Sequence, residues 1–168
     1  MAQRISLRDY QRELVERLRS PEAGRITSKL GVQAGGDGWL VELTEAGEII
    51  PVPTITPVPR TKPWFRGVAN VRGILYTVVD LAAFLGGTPC ALTEQSRLLL
   101  IGARYRTGAG LLVDRSLGLR NPAQLKQCAG AVQTAWVRAQ YEDEDGKIWR
   151  ELDLGALVQQ EEFLNAGF

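Results

Sequence analysis

Gly73-Ile74-Leu75-Tyr76-Thr77-Val78-Val79-Asp80-Leu81-Ala82-Ala83-Phe84-Leu85 comes back, 73 residues on, as Gly146-Lys147-Ile148-Trp149-Arg150-Glu151-Leu152-Asp153-Leu154-Gly155-Ala156-Leu157-Val158. The two stretches share the glycine, the Asp-Leu pair, an alanine and most apolar positions. Two more blocks recur at an offset of 72: Gly38-Trp39-Leu40-Val41-Glu42 as Gly110-Leu111-Leu112-Val113-Asp114, and Trp64-Phe65-Arg66 as Trp136-Val137-Arg138. Three blocks in one order and at nearly one offset indicate a duplicated strand–strand–turn–strand–helix unit. Each copy is about 75 residues, too few for a comfortable core of its own. The copies are therefore expected to share apolar surface and to leave a groove between them.

Outward from these blocks, Lys29 to Trp149 reads as short strands. Turn residues punctuate them at Gly35-Gly36-Asp37-Gly38, Gly47, Gly86-Gly87, Thr107-Gly108 and Asp145-Gly146, a spacing typical of small barrels or a sandwich. Two helices, Leu81–Leu85 and Leu154–Leu164, each follow an aspartate placed to cap them, Asp80 and Asp153. Ile49–Pro63 carries Pro51, Pro53, Pro57, Pro59 and Pro63, which excludes a central strand and predicts an edge or an extended surface segment. It holds no P-x-x-P spacing, so it does not read as an SH3 ligand. Residues 1–28 are expected to form an amphipathic helix and a linker. Ser6 is the expected N-cap, Leu7, Tyr10, Leu14, Val15 and Leu18 share a stripe, and Ser20-Pro21 is the stop.

Composition narrows the function. The 168 residues contain no histidine, which removes the commonest general base, the commonest metal ligand and any Ser-His or Cys-His pair. Cys90 and Cys128 stand far apart and read as free thiols. No apolar run approaches the roughly 18 residues of a membrane span, and the first residues lack a signal-like core, so a cytoplasmic protein without membrane insertion is expected. Residues 60–126 hold ten Lys/Arg against three Asp/Glu, a local balance of +7, while 127–168 hold three against eight, a balance of −5. That opposition suits protein partners better than phosphate backbones. The rival reading is an SH3-like or OB-like double barrel that binds nucleic acid through the basic middle.

Motif by motif, no catalytic, metal or cofactor site emerges. Gly108-Ala109-Gly110 runs into a strand and lacks the helix N-terminus that cradles phosphates. Glu142-Asp143-Glu144-Asp145-Gly146 lacks calcium-loop spacing and reads as a hairpin tip. Trp64-Phe65-Arg66-Gly67-Val68-Ala69-Asn70-Val71-Arg72-Gly73 stands apart. Arginines among aromatics, glycines and small residues form the kind of cluster found at interface hot spots, and an equal reading is structural, with the stem of Arg72 packed on the domain and its head paired with a carboxylate such as Glu48.

This segment also carries a family resemblance. Gly67-Val68-Ala69-Asn70-Val71-Arg72-Gly73, followed by Thr77-Val78-Val79-Asp80-Leu81, resembles the G-V-x-N-L-R-G … P-V-V-D-L signature of CheW-like domains. Glu48-Ile49 matches the family's earlier Glu-Ile pair, and Gly110–Asp114 and Leu152–Leu154 match its second half. The likeness spans residues 29–160. The motif after Trp64 and the tail Glu162-Phe163-Leu164-Asn165 resemble the branch that serves type IV pili and twitching motility. The resemblance implies an all-β domain over 29–168, built as two intertwined five-stranded SH3-like barrels with a short C-terminal helix. It implies a non-catalytic adaptor between the cytoplasmic tip of a methyl-accepting chemoreceptor and the regulatory domain of a CheA-type histidine kinase. It also implies that Arg72, with Asn70, Val71, Glu48 and Ile49, forms a partner-binding surface. Thr77 stands where the family has a proline, and the proline-rich Ile50–Pro59 segment is unusual for the family.

Overall fold

In a computed structural model of the chain, residues 28–129 and 134–167 are described; the expected helix at Ser6–Ser20 lies outside them. Twelve strands, β1 (Lys29–Ala34), β2 (Asp37–Glu42), β3 (Ala46–Pro51), β4 (Ile55–Thr56), β5 (Phe65–Val71), β6 (Ile74–Asp80), β7 (Arg97–Ile101), β8 (Ala109–Val113), β9 (Arg115–Arg120), β10 (Lys126–Cys128), β11 (Val137–Glu142) and β12 (Ile148–Leu152), form two six-stranded sheets. One runs β10-β11-β12-β2-β1-β9 and the other β3-β7-β8-β6-β5-β4. Each sheet's sixth member is a two- or three-residue edge strand, β4 or β10. The proline-rich stretch supplies β3 and β4, the two edges of the second sheet, where a missing N–H costs no ladder bond.

The all-β, two-unit architecture expected from the sequence is present, and the units are intertwined by reciprocal exchange. The first strand of one copy, β2, pairs in parallel with the last strand of the other, β12, and β8 pairs in parallel with β6. Val79 faces Leu111 across one seam, while its counterpart Leu152 faces Val41 across the other. Relative to the duplicated blocks, the second seam is slipped by two residues, a shift that keeps each side chain on its original face.

The duplication extends to single atoms. Each copy has a β-bulge at the strand after its tryptophan, between Phe65 and Gly67 and between Val137 and Ala139. The residue that each bulge accommodates is an arginine. Arg66 Nη1 donates to Asp80 Oδ2 at 2.9 Å, and Arg138 Nη2 lies 3.0 Å from Asp153 Oδ2. Those aspartates cap α1 (Leu81–Phe84) and α2 (Leu154–Val158), accepting from the N–H of Ala83 at 3.1 Å and of Ala156 at 2.9 Å. Their own backbone N–H groups donate to the carbonyls of Trp64 and Trp136, both at 2.8 Å. A bulge re-aims a side chain locally, and here it delivers a cation to a helix cap.

Leu154–Leu164, expected as one helix, is broken. α2 ends at Val158, Gln160 is extended (φ −65°, ψ 130°), and α3 (Glu161–Leu164) starts afresh. The break turns Phe163 inward onto Phe84, edge-on at 5.6 Å between centroids. Aromatic edge-to-face contacts at such distances add to burial. The main core, which includes Val41, Trp64, Val79, Leu81, Leu111, Leu152, Leu154 and Phe163, draws on both sheets and the described α-helices; a second cluster around Val78, Leu98 and Leu112 lies on the second sheet and takes residues from both copies.

A charged network ties the units together. Lys29, buried, donates to Glu151 at 2.6 Å and Glu42 at 2.7 Å. Burial would lower its pKa, but the two carboxylates outweigh this and raise it. Glu45, in the connection where the chain passes from one sheet to the other, accepts from Arg138 at 2.8 Å and lies 3.6 Å from Arg104.

Candidate functional site

The β5–β6 hairpin is built from a two-residue turn. Arg72 (φ 53°) and Gly73 (φ 86°) both take positive φ, as a tight hairpin with the right twist demands. Asn70, exposed, shapes it by accepting the Gly73 N–H at 2.8 Å through Oδ1. Val71 is buried at 8% exposure and anchors the hairpin to the second core cluster. Arg72 is thus pinned at the tip of the hairpin.

There it meets Glu48. Nη1 and Nη2 of Arg72 donate to the two carboxylate oxygens at 2.8 and 2.7 Å, a bidentate pair, with the side chains 72% and 43% exposed. Glu48 lies on β3, at the far edge of the same sheet from the hairpin strand β5. The bridge therefore joins two strands that lie far apart in the order of the second sheet. Hydrogen bonds from Arg72 hold the Glu48 carboxyl below the usual carboxylate range, and Glu48 raises the guanidinium in turn. Ile49, next along β3, is half-buried against the main core. Of the five expected site residues, the structure brings Arg72 and Glu48 into contact, sets Asn70 beside them, and turns Val71 and much of Ile49 inward.

Two residues that sequence reading passed over complete the surface. Ile74 and Leu75 are 58% and 63% exposed, directly after the turn. In the sequence they belong to an apolar run indistinguishable from core strand. Only the outward placement of the hairpin exposes them. A rigid, charged fork beside two bare aliphatic side chains has the chemistry of an interface anchor, with a desolvated centre and a polar rim.

The other candidates resolve as structural. Cys90 and Cys128 are free thiols; Cys90 is 3% exposed, and burial, with Asp114 nearby, pushes it up to about 12, which leaves it unreactive. Asp143 organises its own hairpin tip, accepting from the N–H groups of Lys147 and Asp145 and from Trp149 Nε1 at 2.9 Å. A groove of about 590 Å³ is lined by Phe65, Val79 and Ala109 of the second sheet on one side and by Val158, Phe163 and Leu164 of the helical segment after β12 on the other, so each sheet, and not each copy, supplies a wall. None of the described helices is long and apolar enough to cross a membrane.

Comparison with known proteins places these features. The CheW-like domain model matches residues 29–162. The protein PilI of Pseudomonas aeruginosa is 37% identical over 100 residues, 60% of this chain and 56% of PilI. The chemotaxis protein CheW of Thermotoga maritima is 42% identical over 66 residues, 39% of this chain and 42% of that protein. FrzA of Myxococcus xanthus is 34% identical over 73 residues, 44% of this chain and 45% of that protein. The chain thus spans about half the length of the curated relatives it matches. The crystal structure of the scaffolding protein TtCheW from Thermoanaerobacter tengcongensis superposes with a TM-score of 0.67 at 19% identity, covering 82% of this chain and 95% of that one. That likeness supports the fold. With the family model matched over residues 29–162, this chain belongs to the CheW-like domain family.

Proposed function

We propose that this chain is a non-catalytic adaptor that couples the cytoplasmic tip of a methyl-accepting chemoreceptor to the regulatory domain of a CheA-type histidine kinase. The pathway we assign to it is the one controlling type IV pili and twitching motility, on the strength of the PilI and FrzA likenesses. The observation that carries the reading is the exposed hairpin surface. Arg72 is held in a sparsely populated backbone conformation, locked to Glu48 by two hydrogen bonds, and set beside bare Ile74 and Leu75. Bare aliphatic side chains beside an exposed arginine fork are what a partner contact calls for. Arg72, Glu48, Asn70 and the exposed part of Ile49 form the contact surface together with Ile74 and Leu75, and Val71 supports it from beneath.

The test is direct binding of the full chain to a purified kinase regulatory domain and to a receptor-tip fragment, with a nucleic-acid oligomer as control. Binding to both proteins that withstands moderate salt supports the adaptor. Binding to neither, with oligomer affinity falling steeply as salt rises, overturns it in favour of the nucleic-acid reading.

A further inference from the structure

The chain enters the described domain close to one wall of the 590 Å³ groove. Lys29, at the start of β1, pairs with Glu42; Arg138 lies 4.0 Å from Glu42 and donates to Glu45 at 2.8 Å. Glu45 in turn lies 3.6 Å from Arg104, which lines the groove with Arg106. Residues 4–19 lie outside the described residues, and only Pro21–Ser28 separates them from β1. Eight extended residues span up to about 26 Å, so this segment can reach the groove.

The groove offers apolar surface between walls of unlike charge. Leu164 is 68% exposed, and Phe65 and Tyr105 are only half-buried. Arg104 and Arg106 stand on the side of the second sheet, while α3, which brings Phe163 and Leu164 to the other side, carries exposed Glu161 and Glu162.

Residues 4–19 have the matching pattern. Leu7, Tyr10, Leu14, Val15 and Leu18 keep the helical spacing by which a groove reads an amphipathic helix. At about 100° per residue, Arg8, Arg12 and Arg19 all fall on one flank of that stripe, and Glu13 and Arg17 fall on the other. A helix from Leu7 to Leu18 is about 16 Å long and about 10 Å across, roughly 1,250 Å³. The groove, at about 590 Å³, takes one face of it and leaves the flanks to the walls. A second groove, beside Trp39 and Gln140, holds Asp37 and Arg150 already paired at 3.0 Å, so it has no free carboxylate for the arginine flank.

We propose that residues 4–19 dock as an amphipathic helix in the groove of their own molecule, the apolar stripe inward and the arginine flank toward Glu161 and Glu162. The reverse orientation sets three arginines against Arg104 and Arg106. A short tether gives an effective concentration of about millimolar, which favours the chain's own segment over that of a second copy. The docking does not depend on the adaptor reading.

Paramagnetic relaxation tests it in the full chain carrying Cys128→Ser and Glu16→Cys. Position 16 lies opposite the stripe, and Cys90, 3% exposed, stays unlabelled. A nitroxide there should broaden the methyl resonances of Leu164 and Ala109 and spare the side-chain amide of Gln140. Leu14→Asp/Leu18→Asp should abolish the broadening while the domain's resonances keep their positions, and Glu161→Lys/Glu162→Lys should reduce it. Broadening centred on Gln140, none at Leu164 and Ala109, or broadening that survives Leu14→Asp/Leu18→Asp overturns the docking. Equal broadening between separately spin-labelled and isotope-enriched molecules also overturns it, because the occupant is then a second copy. No change on reversing Glu161 and Glu162 overturns the orientation.

Discussion

Arg72 sits where asparagine or glycine would rest more easily. The first position of its turn needs positive φ, which costs most side chains and suits Asn and Gly. This separates fold from function by one substitution. Arg72→Asn creates a preferred Asn-Gly hairpin turn. It should hold or raise the melting temperature while weakening binding to the kinase domain or receptor tip at least about tenfold, the range of an interface arginine. Arg72→Lys should recover little, because an ammonium cannot reproduce the fork on Glu48. If Arg72→Asn melts well below wild type, or binds normally, the residue belongs to the fold. Gly67 gives the opposite case. At φ 134° a Cβ would stand 2.1 Å from the Thr56 carbonyl oxygen, so Gly67→Ala should cost about 2–4 kcal/mol in chemical denaturation by driving β4 off β5. Sequence alone marked Arg72 and Glu48 through the family motif. The exposure of Ile74 and Leu75 was not legible, because an apolar strand residue looks the same whichever way a hairpin tip points.

At the level of elements, the paired bulges and caps make a quantitative contrast. Asp80 is fully buried and holds Arg66, the Ala83 N–H and the Cys90 N–H, the last at 2.8 Å. Asp153 keeps part of its carboxylate in solvent. Asp80→Ala should therefore cost about 3–5 kcal/mol, since it strands a part-buried cation and two donors, whereas Asp153→Ala should cost about 1 kcal/mol, the usual value of a cap. Equal losses in denaturant titrations would mean that the second copy's arginine contributes more than its exposure suggests. Burial would raise the Asp153 pKa, but the Ala156 N–H and Arg138 outweigh it and hold it below the usual range. A depressed carboxylate stabilises above its ordinary pKa and loses that contribution as pH falls through the folded value. The stability gap between wild type and Asp153→Asn should thus narrow on acidification; a gap constant down to acid pH would remove ionisation as its source. Both caps were readable in the sequence, as aspartates preceding short apolar helices. The bulges were not, because the extra residue shows only once the strands are paired.

For the molecule as a whole, the exchange of strands explains why neither half should stand alone. The duplicated blocks revealed two copies, yet no local pattern says that β2 seeks β12 instead of a strand of its own copy. In residues 1–85, β1 and β2 would have lost β9 and β12, and β6 would have lost β8. That fragment should show little cooperative melting by circular dichroism, while the full chain melts in one transition. A sharp independent melt would mean that the copies are autonomous. The parallel seam between β2 and β12 also governs the protein's birth. Lys29 reaches Glu151 across 122 residues of chain, so the first sheet cannot close until Trp149–Leu152 have left the ribosome. Trp39, Leu40 and Val41, each at most 5% exposed in the finished fold, wait without their partner strand until Trp149–Leu152 have been made. Contacts so distant in sequence slow folding and prolong the exposure of strand edges. Newly made chains of this protein should therefore depend on chaperones more than their modest length suggests.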